Sequence, residues 1–501
     1  IMAQQKNWKV LILEKHWVCG GFTHSFSRPG GYEWDVGLHY VGDMAPGAMP
    51  RLIFDYISGS KVKWQKMTDD FEIFAYPDFS FKVPSNREEY EQRLITLFPD
   101  EEKAIKRYFK DIKKAMSWFS KHLMAKSSPK AISTVVDLFN QTSDHLALST
   151  TEEYLNKYFK DEKLKALLSS QWGDYGLSPE QSAFVIHAVV TSSYFEGAYY
   201  PLGGAASIAE SIVSSVKEYG GDCRVASEVE EIVLEHNRAI GVKLKSGQII
   251  KANYIISNTG AYSSYNKLVP KTEKIEFLND LNQLAQTGYS TVSLYLGLKE
   301  DPSKLGFKGE NHWLFSSYDH KAPEQTDDTL AAKVDGLYLS FPSLKNPKAT
   351  AHTAEIIMPA NYKAFEKWKD KKWKKRGNDY EALKEEISQA LLAFVEERYP
   401  GFKDLVDYYE LSTPLSNESF TSHYKGTIYG LAATPERFKK KYLSATTPIK
   451  GFYLTGTDVA CLGIVGAMMG AVVTAAKIMG GAGFINIVSA AKKYSTEEAG
   501  R

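Results

Sequence analysis

Residues 10–42 read VLILEKHWVCGGFTHSFSRPGGYEWDVGLHYVG, and the rest of the chain is organised around this stretch. It opens with four apolar residues, Val10 to Leu13, and an acid, Glu14, closes the run. Such a run predicts a strand that is buried on both faces of a parallel sheet. In dinucleotide-binding βαβ units, the acid after the second strand accepts hydrogen bonds from a ribose, and Glu14 occupies the matching position. Taken alone, a solvent-facing glutamate explains Glu14 equally simply.

Three glycines follow this strand within a short distance. Gly20 and Gly21 are adjacent, and Gly37 comes directly after Asp35-Val36. A residue without a side chain lets the backbone pass close to a flat or anionic ligand. We therefore expect a ligand to lie against this segment.

These residues together resemble the second-strand region of the FAD-dependent amine oxidase and phytoene desaturase superfamily. The fuller string LEKHWVCGGFTHSF followed by YEWDVGLHYVG is similar to the retinol saturase branch, whose near relatives include carotenoid isomerases. The resemblance implies an α/β fold with an FAD-binding, Rossmann-like domain of the glutathione reductase type that is discontinuous in sequence. A second, α+β domain would bind the substrate. We assign residues 1–70, 197–288 and 446–485 to the FAD domain, residues 71–196 and 289–445 to the substrate domain, and residues 486–501 to a C-terminal tail.

Members of that superfamily begin with a strand and a Gly-x-Gly-x-x-Gly turn that holds the pyrophosphate of FAD. Here Ile1 to Gln5 read as the end of a first helix, and Lys6-Asn7-Trp8 as the turn into the strand at Val10. We therefore expect the sequence to be incomplete at its N-terminus.

A second informative string lies at residues 199–204, which read YYPLGG. By itself it predicts a turn and the start of a helix that ends at Gly220-Gly221. In the resembled family, Tyr-Pro-x-Gly-Gly marks the return of the chain to the FAD domain. Short strands follow, and the resemblance implies that the backbone of Val229 meets the adenine.

The closing motif places a strand, Phe452 to Leu454, before a turn that contains Gly456 and Asp458. A helix then begins near Gly463. The Asp458 carboxylate could accept a hydrogen bond from a ribityl hydroxyl of the flavin. The free N–H groups of Ile464, Val465 and Gly466 at the positive end of the helix would stabilise negative charge on a reduced flavin.

Composition narrows the class of protein. A chain of 501 residues is too long for a single core and predicts two or more domains. Its net charge of +1 argues against a nucleic-acid partner. The three cysteines, Cys19, Cys223 and Cys461, are widely spaced, which predicts neither a metal site nor a disulfide framework. A reducing compartment follows, with the cytoplasm as the default.

Three segments bear on membrane contact. Residues 459–476 carry no charge, but the glycines within them favour a buried helix over a transmembrane one. A long helix capped by Asp100 has a basic face, and residues 362–376 mix eight lysine and arginine side chains with Trp368 and Trp373. Both segments suit the surface of a membrane, and a solvated face explains each of them as well.

The combined evidence predicts an FAD-dependent oxidoreductase that saturates a carbon–carbon double bond of a long apolar polyene, such as a retinoid or a carotenoid. The flavin would perform the difficult step, so few catalytic side chains are expected. His39 and Tyr40 are the candidate catalytic residues, because either can donate a proton at a useful pH, although each could equally be a core residue. NADPH or NADH is the candidate electron donor, and no second nucleotide site is evident.

Four alternatives remain open. A carotenoid cis–trans isomerase would use the reduced flavin without net redox change. A desaturase would run the reaction in the opposite direction, although the chain lacks the His-Pro-Gly element that bacterial phytoene desaturases carry near the end. An amine oxidase would need an aromatic cage for its substrate. A non-enzymatic carrier of prenylated proteins would share the fold without the flavin chemistry.

Overall fold

The strands in the regions that the sequence assigned to the FAD domain include two short parallel pairs. The computed structural model describes residues 1–321, 330 and 333–499. Its strands are β1 (Leu11–Leu13), β2 (Ser25–Arg28), β3 (Tyr32–Asp35), β4 (Trp64–Lys66), β5 (Asp70–Tyr76), β6 (Phe79–Pro84), β7 (Tyr199–Pro201), β8 (Asp222–Arg224), β9 (Val229–Glu235), β10 (Arg238–Leu244), β11 (Ile249–Lys251), β12 (Ile255–Ser257), β13 (Thr291–Leu298), β14 (Asn311–Phe315), β15 (Gly336–Ser340), β16 (His352–Pro359), β17 (Val406–Ser412) and β18 (Phe452–Leu454). β1 pairs in parallel with β8, and β12 pairs in parallel with β18.

The helices surround these strands on several sides. The longer ones are Met49–Ser58, Arg87–Leu97, Glu102–Ser127, Lys130–Asn140, Thr151–Tyr158, Glu162–Ser169, Phe184–Ser193, Ala206–Glu218, Leu278–Ala285, Asn378–Arg398, Pro414–Thr421, Gly463–Met479 and Gly483–Ala499. Shorter α-helical turns are Met2–Lys6, Asp144–Ala147, Ala261–Ser263, Pro342–Lys345, Phe402–Leu405 and Pro435–Lys439. β9, β10 and β11 form an antiparallel three-stranded sheet, as the predicted run of short strands requires.

A seven-stranded sheet with the order β17-β13-β16-β15-β14-β5-β6 forms the centre of the second region. Only the β14–β5 pairing is parallel. Residues 71–83, in which apolar residues alternate on both sides of the turn at Pro77-Asp78, form the hairpin of β5 and β6. These strands and the enclosing helices agree with an α/β fold that has a second α+β part, whereas the domain boundaries given above remain a prediction.

Side chains along β13 to β16 point alternately to opposite faces of the sheet, and the two faces have different surroundings. Leu294, Leu339 and Ile356 pack beneath the helix Asn378–Arg398 in one apolar core. The residues between them face the other way and line a large cavity; these include Tyr295, Trp313, Phe315, Tyr338 and Ile357. Val292, Leu294 and Leu296, the alternate apolar positions of β13, are buried. The pleat therefore gives the cavity an aromatic wall.

Two details of the helices differ from the expectations. Asp100 does not cap the long helix: it lies in a 3₁₀ turn, Pro99–Glu101, and the helix Glu102–Ser127 starts after it without a side-chain cap. Residues 362–376 do not form one helix, because a 3₁₀ segment, Tyr362–Trp368, buries Trp368 and the chain then turns. Trp373 in that turn stays 39% exposed.

The uncharged segment near the C-terminus forms the helix Gly463–Met479, and Gly466, Gly470 and Val473 on it are buried, as predicted. Among the residues that the structure describes, no helix is both long and apolar enough to cross a membrane.

Candidate functional site

The first wall of the cavity is built by the segment that follows β1. The parallel register places Leu11 opposite Asp222 and brings Glu14 to the end of the strand pair. One Glu14 carboxylate oxygen accepts from the His16 backbone N–H at 2.7 Å. Gly20 and Gly21 follow, with φ angles of 124° and 57°, which favour glycine. Glu14, Gly20 and Gly21 all line the cavity, and Val229 at the start of β9 lines it with them.

The opposite wall is the start of the helix Gly463–Met479. No side chain caps its first turn, so the N–H groups of that turn, where Ile464, Val465 and Gly466 lie, lack intrahelical partners. These three residues line the cavity. A Cβ added at Gly470 would overlap the carbonyl oxygen of Gly456, so the helix lies as close to the preceding turn as its backbone permits. The positive end of a helix is thus held against the cavity.

Asp458 does not have the surroundings that the sequence suggested. Its side chain is 3% exposed and is not part of the cavity wall. One oxygen accepts from the Ala261 N–H at 2.6 Å, and the other accepts from the Leu431 N–H at 3.3 Å. In this structure Asp458 therefore holds two backbone segments together, and the geometry does not support its assignment to a ribityl hydroxyl.

Asp35, like Asp458, is a buried carboxylate that holds separate segments of the chain together. It is 2% exposed, and it accepts from Ser25 Oγ at 2.7 Å, from the Ala205 N–H at 2.9 Å and from the Tyr200 hydroxyl. These contacts fix the YYPLGG turn at residues 199–204 and the start of the next helix. Gly37, two residues later, lines the cavity, and a Cβ there would lie 3.1 Å from the Phe22 ring.

All of these walls belong to one continuous cavity of about 3580 Å³. It extends from Glu14 and Val229, past the helix start at Ile464, to the aromatic face of the seven-stranded sheet. The separate segments that the sequence assigned to one ligand therefore do meet around one space.

The comparisons with known proteins identify the family. The family described as "Flavin containing amine oxidoreductase" matches residues 3–479. The chain belongs to this family. A flavin oxidoreductase with FAD as its cofactor and a Rossmann-like α/β fold is therefore established for it. The glycine-lined wall, the strand-end acid and the uncapped helix start fit such a cofactor.

Individual relatives extend this result. The zebrafish (Danio rerio) all-trans-retinol 13,14-reductase is 31% identical over 94% of this chain and 82% of its own length. Prolycopene isomerase 2 of an Oncidium hybrid cultivar is 24% identical over 90% of this chain and 76% of its own. A variant of putrescine oxidase superposes with a TM-score of 0.62 at 14% identity, over 97% of this chain and 95% of that one, which shows a common fold.

In this flavoprotein His39 lines the cavity, but it is an unsuitable proton donor at neutral pH. Burial, followed by the nearby Lys345, lowers the pKa of His39 to about 3. Its Nδ1 lies 3.1 Å from a Glu355 oxygen, and the Lys345 ammonium donates to its backbone carbonyl at 2.9 Å. Burial also raises the pKa of Glu355 to about 8. The ring is therefore neutral and belongs to a buried polar cluster.

The Tyr40 side chain contacts two carboxyl groups that the sequence analysis did not predict. Its hydroxyl lies within hydrogen-bond distance of Glu72 on β5 and of Asp174, which ends the 3₁₀ helix Ser170–Asp174. The sequence analysis missed both acids. A signal existed for each: Glu72 is an acid between two apolar residues of the hairpin strand, and Asp174 lies in the Gly-rich break at residues 171–176.

Two of the three cysteines lie close together, and the third is buried apart from them. Cys461 is buried at 2% exposure, whereas the Cys19 and Cys223 sulfur atoms lie 2.8 Å apart beside the Glu14 wall. All three are free thiols. Among the described residues, no three His, Cys, Asp or Glu side chains group as metal ligands.

Proposed function

We propose that this flavoprotein reduces a carbon–carbon double bond of a long apolar isoprenoid polyene, such as a retinoid or a carotenoid. The observation that carries this proposal is the single cavity that joins the cofactor walls to an aromatic chamber. The similarity to a retinol reductase and to a prolycopene isomerase supports a polyene substrate.

Bound FAD would supply hydride transfer, and the residues of this chain would bind and orient the reactants. We assign Glu14, Gly20, Gly21 and the Val229 backbone to the adenosine end of FAD. Gly37 would let the backbone approach the cofactor closely. Gly456, which the sequence also assigned to the cofactor, does not line the cavity, and its Cα faces the Asn258 side chain. The N–H groups of Ile464, Val465 and Gly466 would hold negative charge at the flavin, because an uncapped helix start attracts anions.

The chamber suits a flat conjugated chain. Tyr40 and Tyr194 stack with ring centroids 4.7 Å apart, and Trp313 lies 4.8 Å from Tyr338. Broad aromatic surfaces bury large apolar area and exclude water, which keeps the substrate dry and fixes its distance from the cofactor. The electron donor in this proposal is NADPH or NADH.

An exposed apolar helix face lies beside the cavity and is our candidate for contact with a membrane. The helix Lys130–Asn140 packs on the helix Glu102–Ser127, and Met116, Phe119 and Met124 of the latter line the cavity. On the outward face of the helix Lys130–Asn140, four large apolar side chains are between 51% and 67% exposed, namely Ile132, Val135, Leu138 and Phe139. An apolar helix face beside a cavity for a lipid-like substrate fits peripheral insertion into a bilayer. We place the membrane contact here, and not on the basic segments that the sequence suggested.

Cis–trans isomerisation of a carotenoid is the second candidate, because the prolycopene isomerase also matches most of the chain. The two reactions differ in product mass: saturation adds two hydrogens, and isomerisation adds none.

The experiment begins with the absorption spectrum of the FAD-reconstituted protein. After anaerobic reduction, all-trans-retinol or prolycopene is added, and the products are analysed by mass spectrometry. The expected result is flavin reoxidation with a gain of two hydrogens in one polyene. An isomerised product of unchanged mass would favour the second candidate. Peroxide formation with putrescine and no polyene product would overturn the proposal in favour of amine oxidation.

A further inference from the structure

At one wall of the chamber, the Tyr40 hydroxyl lies between the carboxyl groups of Glu72 and Asp174, although it has only one hydrogen to donate. The Tyr40 hydroxyl lies 2.6 Å from Glu72 Oε1 and 2.5 Å from Asp174 Oδ2. Tyr40 and Asp174 line the cavity, whereas Glu72 lies behind them and is fully buried. The cluster therefore has one face toward the substrate chamber and one face in the protein core.

Counting protons fixes the ionisation of the cluster. A phenol carries one proton and can donate it to only one of the two carboxyl groups. The other contact is a hydrogen bond only if that carboxyl group is itself protonated and donates to the phenol oxygen. The cluster therefore holds two protons among its three groups, and one of the acids is neutral.

The remaining partners show which acid is neutral. Glu72 accepts from Trp313 Nε1 at 2.5 Å and from Gln171 Nε2 at 2.6 Å. Both partners are N–H donors, so Glu72 is the acceptor throughout and holds the negative charge. In the part of the chain that the structure describes, Asp174 has no hydrogen bond from a side chain other than Tyr40. The proton thus resides on Asp174.

The electrostatics agree with this assignment. Burial and, after it, the nearby Glu72 raise the pKa of Asp174 well above its usual range. Burial also raises the pKa of Glu72 to about 7, against the hydrogen bonds from Tyr40, Trp313 and Gln171, which lower it. Among the described residues, no cation forms a salt bridge with either acid. The Lys345 charge also lowers the pKa of Glu72, which favours the negative charge on Glu72 and leaves the proton on Asp174.

We propose that Asp174 is the catalytic acid that delivers a proton to one carbon of the substrate double bond, with Tyr40 and Glu72 as positioning residues. The inference rests on the proposed reduction. In that reaction one alkene carbon receives a hydride equivalent from the reduced flavin, and the other receives the Asp174 proton. The π bond breaks, two C–H bonds form, and Asp174 is left as a carboxylate.

The position of the Tyr40 hydroxyl between the two acids also allows Asp174 to regain its proton after each reaction. Once Asp174 is ionised, the Tyr40 hydroxyl can turn its hydrogen from Glu72 to Asp174. Two carboxylates then lie on one phenol without a salt-bridged cation, and their mutual repulsion favours uptake of a proton from water in the cavity. Each turnover therefore consumes one solvent proton.

A first test uses the protein without flavin or polyene. Infrared difference spectra between wild type and Asp174→Asn should contain the carbonyl stretch of a protonated carboxyl group, which the variant lacks. Asp111→Asn is the matched control. Asp111 is also buried at 3% exposure, but it forms a salt bridge with Lys114 at 2.8 Å, and its replacement should leave that band in place. Tyr40→Phe, which keeps the stacked ring, should shift the band, because it removes the acceptor of the Asp174 hydrogen bond.

A second test follows the reaction in deuterated water. Asp174→Asn should slow polyene reduction by roughly 10²- to 10⁴-fold, the usual worth of a general acid, while flavin content stays unchanged. In the wild type, deuterium should appear at the carbon that does not receive the hydride. Asp111→Asn should reduce the polyene at the wild-type rate.

The outcomes separate the two proposals. If Asp174→Asn keeps the infrared band, or reduces the polyene at the wild-type rate, the acid assignment is wrong and the proposed function stands. If the wild type shows the band but adds hydrogen to neither polyene, the proposed function fails, and the catalytic role of Asp174 fails with it.

Discussion

The sulfur atoms of Cys19 and Cys223 lie 2.8 Å apart, although 204 positions separate the two residues in sequence. The parallel pairing of β1 with β8 brings them together, because Ile12 lies opposite Cys223 and the chain returns past it at Cys19. Burial, and after it the neighbouring Cys19 thiol, raises the pKa of Cys223 to about 12. The pair remains reduced at neutral pH unless an oxidant removes its two hydrogens.

Treatment with diamide, a thiol oxidant, should therefore join Cys19 to Cys223 in a disulfide. Two of the three free thiols would be consumed, and a peptide containing both residues should appear in a non-reducing digest. The bond would close a long loop and raise the free energy of unfolding by on the order of 3 kcal/mol. Cys223→Ser is the control and should show no intramolecular bond. A bond that instead includes Cys461 would contradict the structure.

Gly470→Ala should weaken FAD binding and lower the melting temperature. The added methyl would overlap the Gly456 carbonyl oxygen and push the helix start away from the cofactor wall. Overpacking of this kind costs roughly 1–3 kcal/mol. The measurements are flavin content from visible absorption and thermal unfolding of the apoprotein. Ser489→Ala changes an exposed residue of the helix Gly483–Ala499 that does not line the cavity, and it should alter neither. A full flavin load in Gly470→Ala would contradict the close approach.

His39→Gln should reduce the loss of stability in acid. The folded state disfavours the charged imidazole, so the pKa of His39 falls from 6.5 to about 3 on folding. The stability that the neutral ring contributes is present above pH 6.5 and is lost as the pH falls toward 3. Between pH 6.5 and 5 the wild type should lose about 2 kcal/mol more than the variant.

Urea unfolding at the two pH values measures that difference. His236→Asn, at an exposed turn with a φ of 47°, is the control and should follow the wild type. Equal acid sensitivity of wild type and His39→Gln would show that the imidazole is not buried in its neutral form.

Leu138→Glu together with Phe139→Glu should reduce binding to phosphatidylcholine vesicles in a flotation assay. These side chains are 65% and 67% exposed, and burying each one in lipid is worth roughly 1.5–3 kcal/mol. We expect at least a tenfold loss of bound protein. Ile485→Glu replaces an equally exposed residue, at 65%, on the helix Gly483–Ala499 and should bind as the wild type does. Equal binding of all three proteins would place the membrane contact elsewhere.

The sequence by itself determined the class of fold and several of the segments that line the cavity. Unbroken apolar runs, strand-end acids and paired glycines are local features, because each depends on what one short segment can adopt. Glu14, Gly20, Gly21 and Gly466 therefore line the cavity as expected. The buried C-terminal helix was predictable for the same reason, since its glycines and missing charges are properties of one segment.

Only the tertiary structure decided the roles of the acids. The sequence assigned the Asp458 carboxylate to the ligand, yet folding turns it, like that of Asp35, toward backbone N–H groups. Tyr40, Glu72 and Asp174 come from three distant segments, and they share a proton only because folding buries two carboxyl groups against one phenol hydroxyl. Ionisation depends on such long-range surroundings, and no pattern along the chain specifies it.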